Sequence, residues 1–425
     1  MREESQLIRA IGRWTLVALV LNSIIGSGIF GLPAVVAGKL GTASIWAYLV
    51  AAAGIAVIVA CFAEVGSQFR QAGGPYLYAR AAFGRFVGIQ VGWLAWLVRL
   101  TSAAANANLF VLYLAEFWPR AEQPLERAGV LSLLLGGLTL ANVRGVRTGT
   151  RLSSVFAIAK LLPLVLFIVA GLVFQHTRAA PNTVPAGTGG WLEALLLLVF
   201  AYGGFEAALL PMGEARNPRR DAPIALFVGL AAVTVVYTLV QVVVVGTLDF
   251  SAGTERPLAT AARGFLGPEG AALIAAGALL SVYGYLSGQF VSAPRLTFAL
   301  AEQGDFPVGL ASIHSRFRTP HVSIVAYAVL VFGLAVAASF RWNAALSALA
   351  RLLTYGLVCG SLLVLRRRQP HAHAFRLAGG TFFAVLGIAF CCVLVSRMGK
   401  VEMVVLLATA TLASATWFWA RRRTA

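Results

Sequence analysis

Apolar residues run along this chain in blocks of about twenty, separated by short polar or glycine- and proline-bearing stretches. A helix rises 1.5 Å per residue, so about 20 residues cross the roughly 30 Å hydrocarbon layer of a bilayer. Twelve blocks are predicted to span, near residues 13–37, 43–68, 86–117, 128–143, 151–174, 190–212, 223–248, 270–301, 320–339, 343–365, 377–396 and 401–420. The fourth is the shortest.

Two blocks carry helix-weakening residues at their centres. The first contains Gly26-Ser27-Gly28-Ile29-Phe30-Gly31-Leu32-Pro33, and the sixth contains Tyr202-Gly203-Gly204-Phe205-Glu206 followed by Pro211. Glycine loses the most freedom in a helix and proline removes a donor, so both blocks are predicted to unwind there. Small residues also let helices pack closely, which is the plainer explanation of either site alone. Breaks at positions one and six are what two five-helix repeats would give, and an odd repeat length inverts the second copy. The predicted fold is therefore an all-α polytopic membrane protein of 12 transmembrane helices. Its 5+5 inverted-repeat core has broken helices 1 and 6, with a first repeat over 1–174, a second over 175–365, and two accessory helices over 366–425.

Composition agrees with the pattern. Hydrophobic residues make up 59% of the chain and charged ones 12%, against about 45–50% and about 25% in soluble domains. That excludes a soluble enzyme, a disordered chain and a disulfide scaffold. The net charge of +18 would suggest nucleic acid in a soluble protein. Sorted by segment, however, twenty-two of the 34 basic residues fall on the N-terminal side of the membrane, nine opposite, and Arg99, Lys160 and Arg351 within blocks. Cytoplasmic loops carry the Lys/Arg excess, so both termini are expected in the cytoplasm, in a multi-pass protein of the cell membrane with no nucleic-acid partner. Arg2, Arg9 and Arg13 lead into an apolar run too long for a signal peptide, so no cleavable leader is expected. Cys61, Cys359, Cys391 and Cys392 sit in apolar blocks without metal-ligand spacing, and His371 and His373 read as part of a basic loop, so neither a metal nor a cofactor is expected.

An unwound helix at the bilayer midplane leaves backbone groups for a ligand. The N–H groups of Ser27, Gly28 and Ile29 would attract a carboxylate, while carbonyls around Ile24, Ile25, Phe200 and Gly203 would take an ammonium group. Such a site is shaped for an amino acid. Lys160, near the centre of the fifth block, costs at least about 2.5–3.5 kcal/mol there unless partnered. Docking on the carbonyls freed by the first break is favoured over a reach of roughly 13 Å to the membrane edge. Glu206 lies inside the sixth break and is either a proton carrier or a brace. Arg99 and Asn106 share a helix face, and Arg351 reads as an outer gate or an outward-reaching side chain.

Several stretches resemble the amino acid–polyamine–organocation (APC) superfamily of transporters. They are Gly26 to Pro33; Ala63-Glu64-Val65-Gly66 with Ala72-Gly73-Gly74-Pro75-Tyr76-Leu77-Tyr78; Phe200-Ala201-Tyr202-Gly203-Gly204-Phe205-Glu206; Glu214-Ala215-Arg216-Asn217-Pro218-Arg219 with Pro223; and Gly304-Asp305-Phe306-Pro307. Arg70 departs from the pattern, where many members carry proline. The resemblance implies alternating access through helices 1, 3, 6, 8 and 10, with Ser27 and Gly28 at the substrate carboxylate, Gly203 at the amine and Phe200 as a cap. It also implies that Lys160 occupies the place of a sodium ion in sodium-coupled relatives, making protons the coupling ion. The expected function is proton-coupled symport of an amino acid. Phe200, Tyr202, Phe205 and Ile24 favour a neutral one. An exchanger or exporter is the alternative, and a membrane-embedded enzyme would need converging catalytic groups that are not evident.

Overall fold

The computed structural model describes residues 12–69, 73–145, 150–174, 187–214, 217–248, 253–368 and 375–424. Arg2, Arg9, Arg70, Ala72, Ala215, Arg216, His371 and His373 lie outside them. The described residues form α-helices, short 3-10 segments and connections, with no strand among them. In chain order the α-helices are α1 (Arg13–Ile24), α2 (Ser27–Gly31), α3 (Pro33–Leu40), α4 (Ser44–Ser67), α5 (Gly74–Phe83), α6 (Arg85–Leu114), α7 (Pro124–Val143) and α8 (Thr150–Phe174). They continue with α9 (Thr188–Tyr202), α10 (Pro218–Thr247), α11 (Pro257–Glu302), α12 (His321–Ala337), α13 (Phe340–Arg368), α14 (Gly380–Val395) and α15 (Lys400–Thr424). Among the described residues, eight helical stretches are long and apolar enough to cross a membrane, accompanied by four shorter apolar helices.

The distribution of apolar surface is the reverse of a soluble protein's. Leu133 on α7, Leu162 on α8, Phe382 on α14 and Val404 on α15 are all exposed, as expected of helices whose outer faces meet lipid. Inside, α1 packs on α10, α10 on α4, α6 on α11 and α13, and α13 on α14.

Both central interruptions are present. After Ile24 the chain leaves the helix at Ile25 (ψ 100°) and resumes at Ser27. At the second, α9 ends at Tyr202, Gly203 is extended, and Gly204 has φ +115°, a conformation only glycine adopts readily. A 3-10 segment, Phe205–Glu214, follows. Buried side-chain hydroxyls and amides need internal partners, and around the interrupted segments backbone carbonyls of neighbouring helices supply several. Tyr113 Oη donates to Phe30 O at 2.7 Å, Gln241 Nε2 to Pro33 O at 3.2 Å, and Tyr202 Oη to Tyr48 O at 3.1 Å.

Two features differ from the sequence expectation. The eighth block begins earlier than residue 270, because α11 opens at Pro257 and turns at Gly267 (φ 74°) ahead of Pro268. The loop after α4 contains a full helix, α5, which carries no membrane-length apolar run. Pro75 at its start and Gly84 at its end set its bounds.

Candidate functional site

The first break is held from two neighbouring helices. Lys160 Nζ, from α8, donates to Asn22 O at 2.6 Å and to Ile25 O at 2.8 Å. Asn22 O is one of the acceptors released where the helix unwinds. Lys160 is buried, so these carbonyls are the ammonium group's solvation. From α10, the Tyr237 hydroxyl lies 3.3 Å from Ile24 O in the first break and 3.3 Å from Ala201 O just ahead of the second. The breaks themselves touch, since a Cβ added to Gly204 would collide with Ser23 O.

Beside the breaks lies a cavity of about 250 Å³. Asn22, Ser23 and Glu206 line it from the breaks, Arg99 and Ser102 from α6, Tyr285, Gln289 and Ser292 from α11, and Arg351 and Tyr355 from α13. Glu206 is fully engaged: Oε1 accepts from Arg351 Nη1 at 2.8 Å, and Oε2 from Tyr355 Oη at 2.8 Å and Gly204 N at 2.9 Å. Arg351 Nη2 continues to Ser102 Oγ at 3.2 Å, which is 2.8 Å from Ser347 Oγ. This network ties the second break to α6 and α13. Among the described residues Arg99 Nη1 meets only neutral acceptors, Gln289 Oε1 at 3.3 Å and Ser292 Oγ at 3.2 Å.

A second polar cluster lies at the N-terminal side of the cavity. Asp305, fully buried just past α11, accepts from Tyr76 Oη at 2.5 Å on α5, from Arg85 Nε at 2.9 Å and from Arg80 Nη1 at 3.3 Å. Arg80 also donates to Tyr76 Oη. Burial, reinforced by the bond to Asp305, pushes the Tyr76 phenol up to about 12, so it stays a donor at any ordinary pH. Tyr76 lines the cavity as well.

The residues singled out from the sequence divide into two groups. Glu206 lines the cavity and Lys160 sits behind the break that borders it. Ile24, Ile25, Ser27, Gly28 and Ile29 are all buried, and none is among the cavity's lining residues. Ser27 Oγ has no hydrogen-bond partner among the described residues. A Cβ on Gly28 would stand 2.7 Å from Ala201 Cα, so this glycine sets the approach of α2 to α9. Phe200 packs edge-on against Phe340, ring centres 6.2 Å apart. Gly203 lies under the guanidinium of Arg351.

Sequence reasoning passed over Ser102, Tyr285, Gln289, Ser292 and Tyr355. A signal existed on α11, where Gly284, Gly288 and Ser292 recur every four residues and expose one small, polar helix face.

Residues 11–419 match the family model described as amino acid permease. The chain is similar to three proteins of Bacillus subtilis (strain 168). The branched-chain amino acid permease BcaP is 25% identical over 420 residues, covering 94% of this chain and 90% of that one. The methylthioribose transporter is 25% identical, with 92% and 88% covered. The serine/threonine exchanger SteT is 27% identical, with 91% and 90% covered.

Proposed function

This chain belongs to the amino acid permease family, and on that premise we propose that it is a secondary transporter carrying an amino acid by alternating access, with protons as the coupling ion. In this reading 1–174 and 175–365 are inverted repeats, 366–425 is accessory, and both termini are cytoplasmic. The cavity, bordered by the C-terminal half of α1 and the N-terminal half of α6, then faces the cytoplasm. Substrate binds between the breaks: the amide groups of Ser27, Gly28 and Ile29 receive the α-carboxylate once helix motion exposes them, and carbonyls near Ile25 and Gly203 receive the amine.

The observation that carries the coupling is the docking of Lys160 on Asn22 O and Ile25 O. A protonated lysine gives these carbonyls charge-assisted bonds, and loss of the proton weakens both together. The first break is thereby tied to the protonation of one side chain. Glu206, locked by Arg351, Tyr355 and Gly204, acts in this scheme as the brace of the second break.

The test is uptake of labelled amino acids by the purified protein in liposomes, with an imposed pH or sodium gradient. Lys160→Ala is expected to abolish uptake driven by the pH gradient while leaving amino acid exchange measurable. Gradient-driven uptake retained in the variant, or a requirement for sodium in the wild type, would refute the role of Lys160. The similarity to a serine/threonine exchanger favours obligatory exchange as the second reading, and uptake that needs a loaded lumen but no gradient would establish it.

A further inference from the structure

Two arginines reach the cavity, and one carboxylate answers them. Among its described lining residues Arg99, Arg351 and Glu206 are the formally charged ones, which leaves a net charge of +1 there. Glu206 is taken up by Arg351, Tyr355 and the Gly204 amide. Arg99 has no carboxylate partner among the described residues. Its bonds to Gln289 and Ser292, at 3.3 and 3.2 Å, are longer than the roughly 2.7–2.9 Å of a charge-assisted pair. A guanidinium offers five donors, and both bonds use Nη1. Arg351, only 5% exposed, also keeps a buried Nε with no hydrogen-bond partner among the described residues.

A charged arginine within a membrane protein faces a partner or water. Water would meet that need in an empty cavity, and cargo entering it would displace that water. A zwitterion would leave the positive charge uncompensated, whereas cargo with one further negative charge makes the occupied cavity neutral. Position agrees with charge: Arg99 and Tyr285 line the same cavity, and the Tyr285 ring lies 3.5 Å from where a Cβ on Gly26 would stand, at the first break.

Resting on the transport reading above, we propose that the substrate is an acidic amino acid whose side-chain carboxylate is received by Arg99. This replaces the neutral cargo expected from Ile24, Phe200, Tyr202 and Phe205. Those side chains are buried in packing contacts: Phe200 on Phe340, Phe205 on Phe62 and Tyr355, and Tyr202 on Tyr48 and Tyr237. None of the four lines the cavity.

Glutamate and glutamine differ at the one group in question. Purified full-length protein in liposomes is loaded with unlabelled amino acids, and counterflow of labelled glutamate and glutamine is compared. Wild type is expected to favour glutamate at least about tenfold, which corresponds to about 1.4 kcal/mol. Arg99→Gln should bring the ratio near one, and Arg99→Lys should restore part of the preference. Glutamine or leucine moved as well as glutamate would overturn the acidic assignment while leaving amino acid transport standing. No amino acid moved under any gradient or in exchange would overturn both. The wild-type ratio decides alone if the Arg99 variants do not fold.

Discussion

Replacing Gly28 with alanine separates packing from ligand contact at the first break. The added methyl would lie 2.7 Å from Ala201 Cα and 3.0 Å from Ala201 Cβ, against about 3.5–4.0 Å for an unstrained carbon pair. The nearer atom is backbone, so no rotamer change relieves the overlap, and α2 must move away from α9 by roughly 1 Å. Overpacking of this kind costs about 1–3 kcal/mol. Alanine also gains up to about 1 kcal/mol of helix propensity over glycine, which partly masks the loss. Gly38→Ala on α3 controls for that gain, because nothing lies within 4 Å of its added methyl. The difference between the two variants therefore isolates the overlap. At roughly 2 cal/mol/K per residue of unfolding entropy, it corresponds to a melting temperature lower by roughly 1–3 °C for Gly28→Ala in detergent. The double variant Gly28→Ala with Ala201→Gly should recover part of it, since only the Cβ contact is relieved. Equal melting temperatures for Gly28→Ala and Gly38→Ala would refute the geometry.

Two further outcomes follow from the polar clusters. Glu206→Gln and Arg351→Met, singly and together, should show a coupling of about 2 kcal/mol in a thermal double-mutant cycle, within the range for a contacting pair; additive effects would show that the ion pair contributes nothing. Asp305→Asn removes the charge that holds Arg80, Arg85 and Tyr76 together, and maleimide labelling of Ser292→Cys in the cavity should quicken roughly tenfold, as expected when a hydrogen bond to a charged group is lost. An unchanged labelling rate would mean that this cluster does not hinder access to the cavity.

Glycine and proline punctuation in otherwise apolar blocks made both breaks legible, because few residues can serve where a helix is interrupted in lipid. The cost of an isolated charge made Lys160 conspicuous in the same way. The cavity was much less legible. Whether Phe200 faces a ligand or another ring depends on Phe340, far along the chain. Whether Glu206 is free or paired depends on Arg351 and Tyr355, 145 and 149 residues away. Arg99 and Arg351 were visible as costly residues, but which of them has a carboxylate is a fact of tertiary arrangement. The helix α5 escaped notice because its register serves Asp305 rather than a bilayer.

The Tyr237 hydroxyl has one proton and stands at the same 3.3 Å from two carbonyls, one on each broken segment. It satisfies either acceptor equally, so a small sliding of one segment against the other exchanges hydrogen bonds without changing their number. That degeneracy levels the ground between neighbouring arrangements. With the segments' relative position only weakly held by this clasp, the proposed protonation of Lys160 and the proposed charge of the cargo would be enough to decide which arrangement prevails.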